Sequence, residues 1–220
     1  MGCPTLVKRG LVRRSQASAV VLASGSPHKL AEFRRLFLGS PVRTVPPSDF
    51  AGPLRVDETG ATFLQNARLK AAAYARACQA WSLADDSGLE VDALGGAPGV
   101  RSARYAGPNA SDDARNAKLL AALADVPEAR RTARFRCAVA LAAPDGSIVY
   151  TAVRSCEGRI AHAPRGGQGF GYDPLFIVGA GDRTMAELTP DEKNRVSHRG
   201  LAARAARCFL EARLATTPSN

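Results

Sequence analysis

The stretch Leu83-Ala84-Asp85-Asp86-Ser87-Gly88-Leu89 places two adjacent carboxylates directly after a short apolar run that starts at Trp81. The run predicts a short strand, and Ser87 and Gly88 predict a sharp turn after it, because serine and glycine are common turn residues. Two neighbouring carboxylates repel each other, so a divalent cation, a raised pKa on one of them, or full solvation must offset the repulsion. An ordinary solvated turn is the alternative to a functional site at this position.

Alternating helix and strand patterns extend on both sides of this stretch. On its N-terminal side, residues 19–23 predict a buried strand, residues 28–38 a helix, and residues 42–45 a further strand. A helix capped by Thr59 or Thr62 then leads to the carboxylates. On the C-terminal side the pattern predicts a helix over 112–124, strands over 134–142, 148–157 and 175–178, and helices from 189 and 197. Interspersed helices and strands with one clear hairpin indicate an α/β fold with a mixed sheet.

The composition is that of a globular protein with a basic net charge. Of the 220 residues, 45% are hydrophobic and 23% are charged, which suits one sizeable domain or two closely packed lobes. The formal charge of +10 favours anionic partners such as nucleotides, nucleic acid or a membrane surface. We expect a mobile basic tail at residues 1–18, a single α/β body over 19–214, and a C-terminal tail at 215–220.

The apolar runs and the cysteines bear on the cellular environment. No apolar run approaches the ~20 residues needed to span a bilayer, so we expect no membrane partner. The five cysteines are scattered, odd in number and without metal-ligand spacing. Reduced core thiols in the cytoplasm explain this pattern better than a disulfide framework does.

The segment Ser24-Gly25-Ser26-Pro27-His28-Lys29 joins the first predicted strand to the first predicted helix. Small residues, backbone N–H groups at a helix N-terminus and a lysine together make a phosphate site. The glycine spacing fits neither a Walker A loop nor a Rossmann fingerprint. An ordinary strand-to-helix turn with a surface lysine is the alternative.

Further polar groups could face the two carboxylates. Glu58 precedes the helix that leads to Asp85 and Asp86 and could join them at a metal ion. An acid at this position also stabilises the helix dipole, which is the structural alternative. Asn66 and Lys70 on the same helix could face the site as well.

A second glycine-rich loop, residues 166–174, and a later helix start carry groups suited to a nucleobase. Phe170 offers an aromatic face for stacking, between glycines that let a ligand approach the chain closely. A core phenylalanine in a tight turn is the alternative. Lys193, His198 and Arg199 place three potential cations near one helix start, which suits a purine edge or phosphates.

Five motifs in the chain, taken together, carry a family resemblance. They are Ala84-Asp85-Asp86-Ser87-Gly88-Leu89, Leu94-Gly95-Gly96-Ala97-Pro98-Gly99-Val100, Ser102-Ala103-Arg104-Tyr105, Phe170-Gly171-Tyr172-Asp173-Pro174 and Ser197-His198-Arg199-Gly200. In this order they resemble the inosine/xanthosine triphosphate pyrophosphatase family, which removes non-canonical purine nucleotides, and the resemblance runs from about Val20 to Leu214. It implies an elongated mixed β-sheet with flanking helices, in two lobes around a central substrate cleft. It also implies a homodimer, a requirement for Mg²⁺ and a nucleoside triphosphate substrate.

The resemblance further implies a role for each matching residue. Asp86 matches the proton acceptor, and Lys29 is expected to stabilise charge on the leaving pyrophosphate. The implied metal-binding residues are Glu58, Asp85 and Asp86. The implied substrate-binding residues are Ser24, Gly25, Ser26, Pro27, His28, Lys29, Ser87, Phe170, Gly171, Tyr172, Asp173, Lys193, His198 and Arg199. Ser26 stands where the family usually has asparagine, so this chain lacks that amide at its first turn.

The expected reaction is Mg²⁺-dependent hydrolysis of ITP, dITP or XTP between the α and β phosphates, which gives the monophosphate and pyrophosphate. His198 and Arg199 are expected to donate to the 6-keto oxygen of these bases, where adenine presents an amino donor instead. The Maf-type nucleotide pyrophosphatases, which resemble residues 22–27, are the first alternative. A basic nucleic-acid-binding protein is an alternative of a different class. Because only 6% of the residues are aromatic and no RNA- or DNA-binding motif is visible, we do not expect nucleic acid as the main partner.

Overall fold

The computed structural model describes residues 19–50 and 54–215. Over these residues the chain forms a six-stranded sheet in the order β2-β1-β3-β4-β5-β6. The strands are β1 (Ala19–Leu22), β2 (Arg43–Val45), β3 (Trp81–Val91), β4 (Thr132–Ala142), β5 (Ile148–Ile160) and β6 (Phe176–Val178). Strand β1 pairs in parallel with β2 and β3, whereas β3–β4, β4–β5 and β5–β6 are antiparallel pairs. The prediction of an α/β fold with a mixed sheet is confirmed.

Polar caps set the beginnings of the helices that flank this sheet. The helices are α1 (Pro27–Leu36), α2 (Phe63–Cys78), α3 (Asp112–Ala122), α4 (Pro190–Val196) and α5 (His198–Ala215). Thr62, and not Thr59, caps α2 in a capping box with Gln65. Ser111 caps α3 and Thr189 caps α4, so both predicted starts are confirmed.

The double-aspartate stretch lies within a strand, so the predicted turn at Ser87 and Gly88 is wrong. Strand β3 continues to Val91, and Asp86 lies opposite Ala138 of β4. The antiparallel ladder with β4 runs from Ser82 to Val91 and keeps the backbone extended. Tertiary pairing has therefore overridden the local turn preference of serine and glycine.

Two apolar cores lie on the two faces of the sheet. Successive side chains of a strand point to opposite faces. Val20 and Leu83 accordingly belong to a core with α1 and α5, while Val21 and Ala84 belong to a core with α2. The first lobe of the protein is thus a sheet covered by helices on both faces.

A third core forms a second lobe at the far ends of the long strands. It joins Leu89 of β3 to Leu119 of α3 and to Leu175 before β6. Because β3 leaves the first lobe and enters this third core at Leu89, Asp85 and Asp86 lie on β3 between the two lobes. In the described residues, the two carboxylates thus lie at the junction of the first two cores with the third.

Some sequence predictions concern the chain ends, the thiols and the membrane. The predicted tail at residues 1–18, and residues 216–220 of the C-terminal tail, lie outside the described residues, while α5 extends to Ala215. In the described part of the chain, Cys137, Cys156 and Cys208 are free thiols. None of the helices described there is long and apolar enough to cross a bilayer.

Position 88 has no room for a side chain, because other groups occupy the space where a Cβ would lie. A substitution at Gly88 therefore tests the packing of β3. A Cβ there would lie 2.6 Å from the Gly99 carbonyl oxygen and 2.9 Å from Cε1 of Phe63, and it would also meet Ser102 Oγ. We expect Gly88→Ala to lower the free energy of unfolding by about 1–3 kcal/mol, the usual range for overpacking. Urea denaturation measures this value.

The matched control is Gly167→Ala. A Cβ at Gly167 meets no atom within 4 Å, so this variant should unfold at nearly the same urea concentration as the unmodified protein. Equal stability of the two variants would contradict the close packing of β3 against residues 99–102.

Candidate functional site

A cavity of about 210 Å³ opens between the two lobes. Predicted site residues from separate parts of the chain line it together: Lys29, Glu58, Asp86, Ser87, Phe170, Gly171, Tyr172, Asp173, His198 and Arg199. Asp85 lies buried beside this cavity, and His28 and Lys193 line a neighbouring one. The fold therefore gathers most of the predicted residues around a single space.

Asp85 is a buried carboxylate surrounded by cations. Its Oδ2 lies 2.8 Å from Lys29 Nζ and 3.4 Å from Arg199 Nε, and it accepts a hydrogen bond of 3.2 Å from the Ser87 hydroxyl. Burial alone would raise the pKa of Asp85, but Lys29 and Arg199 hold it well below its usual value. Its Oδ1 is buried without a hydrogen-bond partner. Asp85 is thus an ionised group that organises the two cations.

The adjacent Asp86 has the opposite electrostatic environment. Asn66 Nδ2 donates to its Oδ2 at 3.0 Å, and Lys70 Nζ lies 3.6 Å from its Oδ1. Burial raises the pKa of Asp86, and Lys70 and Asn66 offset only part of that effect. Two neighbouring carboxylates with pKa values pushed apart are the arrangement in which one carries fixed charge and the other exchanges a proton.

Lys70 forms ion pairs with both Glu58 and Asp86. Its position on the predicted helix had indicated that it could face the site. Its ammonium lies 2.8 Å from Glu58 Oε1, and burial, which would lower the pKa of Lys70, is outweighed by the nearby carboxylates. Asn66 and Lys70 are four residues apart on α2, and this spacing places them on one face of the helix.

The predicted metal set is divided in this arrangement. Glu58 and Asp86 share Lys70, while Asp85 faces Lys29 and Arg199. Over residues 19–50 and 54–215, no three histidine, cysteine, aspartate or glutamate side chains are grouped as a metal site. Of the three predicted metal-binding carboxylates, Glu58 and Asp86 therefore pair with the same cation, and Asp85 pairs with two others.

Glu32 on α1 is a central acid of the site that the sequence analysis missed. Its Oε1 lies 2.7 Å from Lys193 Nζ, and its Oε2 accepts a hydrogen bond from Arg199. Lys193 Nζ also lies 2.6 Å from Asp173 Oδ2. Glu32 follows Lys29 by three residues, so helical spacing was the signal that could have identified it.

The prediction that His198 and Arg199 are both cations is wrong for His198. Arg199 is charged, but its guanidinium is buried and donates to Glu32, Asp85 and Ser87. Burial lowers the pKa of His198 well below its usual value, and the nearby positive charges add to the shift, so the imidazole is neutral. Its ring stacks on Phe135 with 4.7 Å between centroids, and Nδ1 is buried without a partner.

The loop that carries Phe170 is anchored by α3, which the sequence analysis did not connect to the site. The Gly171 N–H donates to Asp112 Oδ2 at 2.6 Å, and Asn116 Nδ2 donates to the Gly171 carbonyl at 3.0 Å. The Tyr172 hydroxyl donates to the Ser102 carbonyl at 3.0 Å. Two hydrogen bonds from α3 therefore fix the Gly171 backbone beside Phe170, and the Tyr172 side chain ties the same loop to Ser102.

In the turn formed by residues 24–29, the two serine hydroxyls accept hydrogen bonds from backbone N–H groups of the same turn. The Ser26 hydroxyl caps α1 by accepting from the Lys29 N–H at 3.4 Å, and the Ser26 N–H donates to Ser24 Oγ at 3.2 Å. The Lys29 side chain projects from this turn toward Asp85. Lysine at the end of the turn, and not the serine hydroxyls, is thus the group that faces the carboxylates.

Taken together, these groups suit a ligand that is both aromatic and strongly anionic. Lys29 and Lys70 supply positive charge near two carboxylates of different pKa, and Phe170 supplies a ring in the same cavity. A nucleotide combines a π face with phosphates, and a ring and cations in one groove bind such groups.

Comparisons with known proteins agree with this chemistry. Residues 20–209 match the Ham1 family. A dITP/XTP pyrophosphatase of Gloeobacter violaceus is 54% identical over 84% of this chain and 90% of its own length, and one of Bacillus subtilis is 46% identical over 87% and 96%. The solved structure of a HAM1 protein from Coxiella burnetii superimposes with a TM-score of 0.79 at 43% identity, covering 87% of this chain and 98% of that chain. The predicted resemblance is confirmed, the Maf-type alternative is set aside, and the chain belongs to the Ham1 family.

Proposed function

We propose that this protein is a nucleoside triphosphate pyrophosphatase that hydrolyses ITP, dITP and XTP to the monophosphate and pyrophosphate. The observation that carries the proposal is the pair Asp85 and Asp86, held in opposed environments in a cavity that also contains Lys29 and Phe170. The names of relatives that are 46% to 54% identical support the same substrate class.

The carboxylates of this cavity fit a bound Mg²⁺. Glu58 and Asp86 converge on one cationic centre, the Lys70 ammonium, and Asp85 Oδ1 is a buried oxygen without a partner. Mg²⁺ prefers oxygen ligands and is commonly held by one or two carboxylates together with substrate phosphates. Glu58 and Asp86 would hold the ion, with Asp85 beside them. When bound, it would neutralise phosphate charge and lower the pKa of a water molecule.

Asp86 and Lys29 have separate roles in the proposed hydrolysis. Asp86, whose pKa is raised by burial, orients the attacking water and takes its proton. Lys29, fixed by its ion pair with Asp85, stabilises the charge that develops on the leaving pyrophosphate.

Base selection rests on Phe170 and His198 in this proposal. Phe170 provides the stacking face, and the neutral His198 imidazole can donate one N–H to a 6-keto oxygen. Adenine presents an amino donor at that position, and two facing donors are costly in a dry pocket. Guanine shares the keto group, so it must be rejected at its 2-amino group. Arg199 lines the same cavity, and its hydrogen bonds to Glu32, Asp85 and Ser87 hold these side chains in place.

We also propose the assembly and the location expected from the sequence. A homodimer is proposed from the family resemblance, and mass measurement of the native protein tests it. The free thiols of Cys137, Cys156 and Cys208 support a reducing cytoplasm. Carboxylates in the cavity disfavour binding to a nucleic acid backbone, so a nucleotide remains the proposed partner.

Pyrophosphate release from purified protein tests the activity. ITP, dITP and XTP should each give pyrophosphate in the presence of Mg²⁺, at kcat/KM values well above those for ATP and GTP. Release of orthophosphate in place of pyrophosphate, or no preference for the three nucleotides over ATP, would reject the proposal.

Removal of metal should lower pyrophosphate release more than tenfold, because a bound cation provides several kcal/mol of charge stabilisation in phosphoryl chemistry. Added Mg²⁺ should restore the rate. Glu58→Gln should raise the Mg²⁺ concentration that gives half of the maximal rate, whereas the exposed neighbour variant Asp57→Asn should not. Full activity after exhaustive chelation would contradict the metal assignment.

A further inference from the structure

The ring of Phe170 borders two cavities, and a histidine lies on one of its faces. The second cavity, of about 270 Å³, is lined by Phe170, Lys193 and His28, whereas His28 does not line the cavity with the carboxylates. The His28 and Phe170 rings are stacked, with 5.1 Å between centroids and 17° between planes. His28 therefore stacks on Phe170 at the second cavity, and the charged groups of Lys193 and Arg199 also lie over the ring, 5.0 Å and 5.3 Å from its centroid.

This stack joins the two lobes across the cleft. His28 lies in the first turn of α1, which packs in the first lobe through Phe33. Phe170 sits on the loop that α3 of the second lobe holds through Gly171. His28 is exposed and Phe170 is half-buried, so the imidazole lies where it can shield the ring from solvent on one side.

Hydrogen bonds hold the backbone beside Phe170, whereas the stack with His28 acts on its ring. Gly169 and Gly171 flank Phe170 with φ of +80° and +65°, conformations that glycine adopts at no steric cost. A ring on a glycine-flanked backbone loses more freedom when a ligand stacks on it than a ring already held by a stacked neighbour.

We propose that His28 is a positioning residue that stacks on Phe170 and holds its ring at the edge of the cavity with Asp86, where the base of the nucleotide stacks. The inference rests on the proposed function. It replaces the phosphate-binding role that the sequence analysis gave to His28 with a role in holding the base-binding ring.

Kinetics of His28→Ala and His28→Phe, with His162→Ala as the matched control, test this inference. An offset aromatic stack contributes about 0.5–1.5 kcal/mol, so His28→Ala should raise the KM for ITP by about 2- to 13-fold with kcat nearly unchanged. His28→Phe should restore the KM, because phenylalanine can stack but cannot bind phosphate. His162 is exposed and lies outside both cavities, so its variant should match the unmodified protein.

Inhibition by inorganic triphosphate separates base support from phosphate binding. This probe has no base, so its inhibition constant should be the same for the unmodified protein and for His28→Ala. Weaker inhibition of His28→Ala, or a His28→Phe variant no better than alanine, would overturn the inference. An unmodified protein inactive on ITP, dITP and XTP would reject the proposed function itself, whereas an active protein with unchanged KM in His28→Ala would reject only the role of His28.

Discussion

Replacing Asp86 with asparagine is expected to lower the turnover of ITP by about 10²-fold or more, the lower end of the contribution of a general base. The substitution keeps the shape of the side chain but removes the charge that would hold Mg²⁺ and accept the proton of water. The Asn66 amide can still donate to the new side-chain oxygen, so we expect the fold to be retained. Pyrophosphate release and circular dichroism of the purified variant measure the two effects.

The matched control for Asp86→Asn is Glu90→Gln on the same strand. Glu90 lies 3.6 Å from Arg136 and does not line the cavity with the carboxylates. This variant loses one carboxylate charge from β3 but should keep its turnover. A folded Asp86→Asn protein that hydrolyses ITP as fast as Glu90→Gln would remove Asp86 from the mechanism.

Replacing Asp85 with asparagine is expected to lower the free energy of unfolding by about 3–5 kcal/mol, as for loss of one partner of a buried ion pair. The Asp85 carboxylate is buried between Lys29 and Arg199, and its loss leaves these cations with less compensating charge. Asp92→Asn is the matched control, because the Asp92 ion pair with Arg134 lies at the surface. Its loss should change stability by less than about 1 kcal/mol.

The pH dependence of this stability difference follows from the sign of the shift. The pKa of Asp85 is lower in the folded protein than in the unfolded chain, so its ionised form stabilises the fold at neutral pH. That contribution is present above the unfolded value of about 3.9 and is lost as pH falls through the lower folded value. The difference in melting temperature between the unmodified protein and Asp85→Asn should therefore shrink below about pH 4. A difference that stays constant in acid would contradict an ionised Asp85.

Elements with a local physical cause could be predicted from the sequence. Ser111 and Thr189 accept hydrogen bonds from backbone N–H groups three residues ahead, so each helix start depends on neighbouring residues alone. The hairpin between β4 and β5 is likewise specified by the turn at residues 144–146. The order of the motifs along the chain was sufficient to indicate the family, because members of one family carry the residues around a shared ligand in the same order.

The sequence by itself thus determined the helix starts, the mixed α/β class and most of the residues that line the cleft. Tertiary structure decided whether Asp85 and Asp86 lie in a turn or a strand, because the ladder with β4 overrides local preference. It also decided their charge states: Asp85 is paired with Arg199, 114 residues away, while Asp86 is not. A pKa depends on burial and on the charges within a few ångströms. For these residues, distant parts of the chain supply those charges, so only the folded protein specifies which aspartate is fixed and which can exchange a proton.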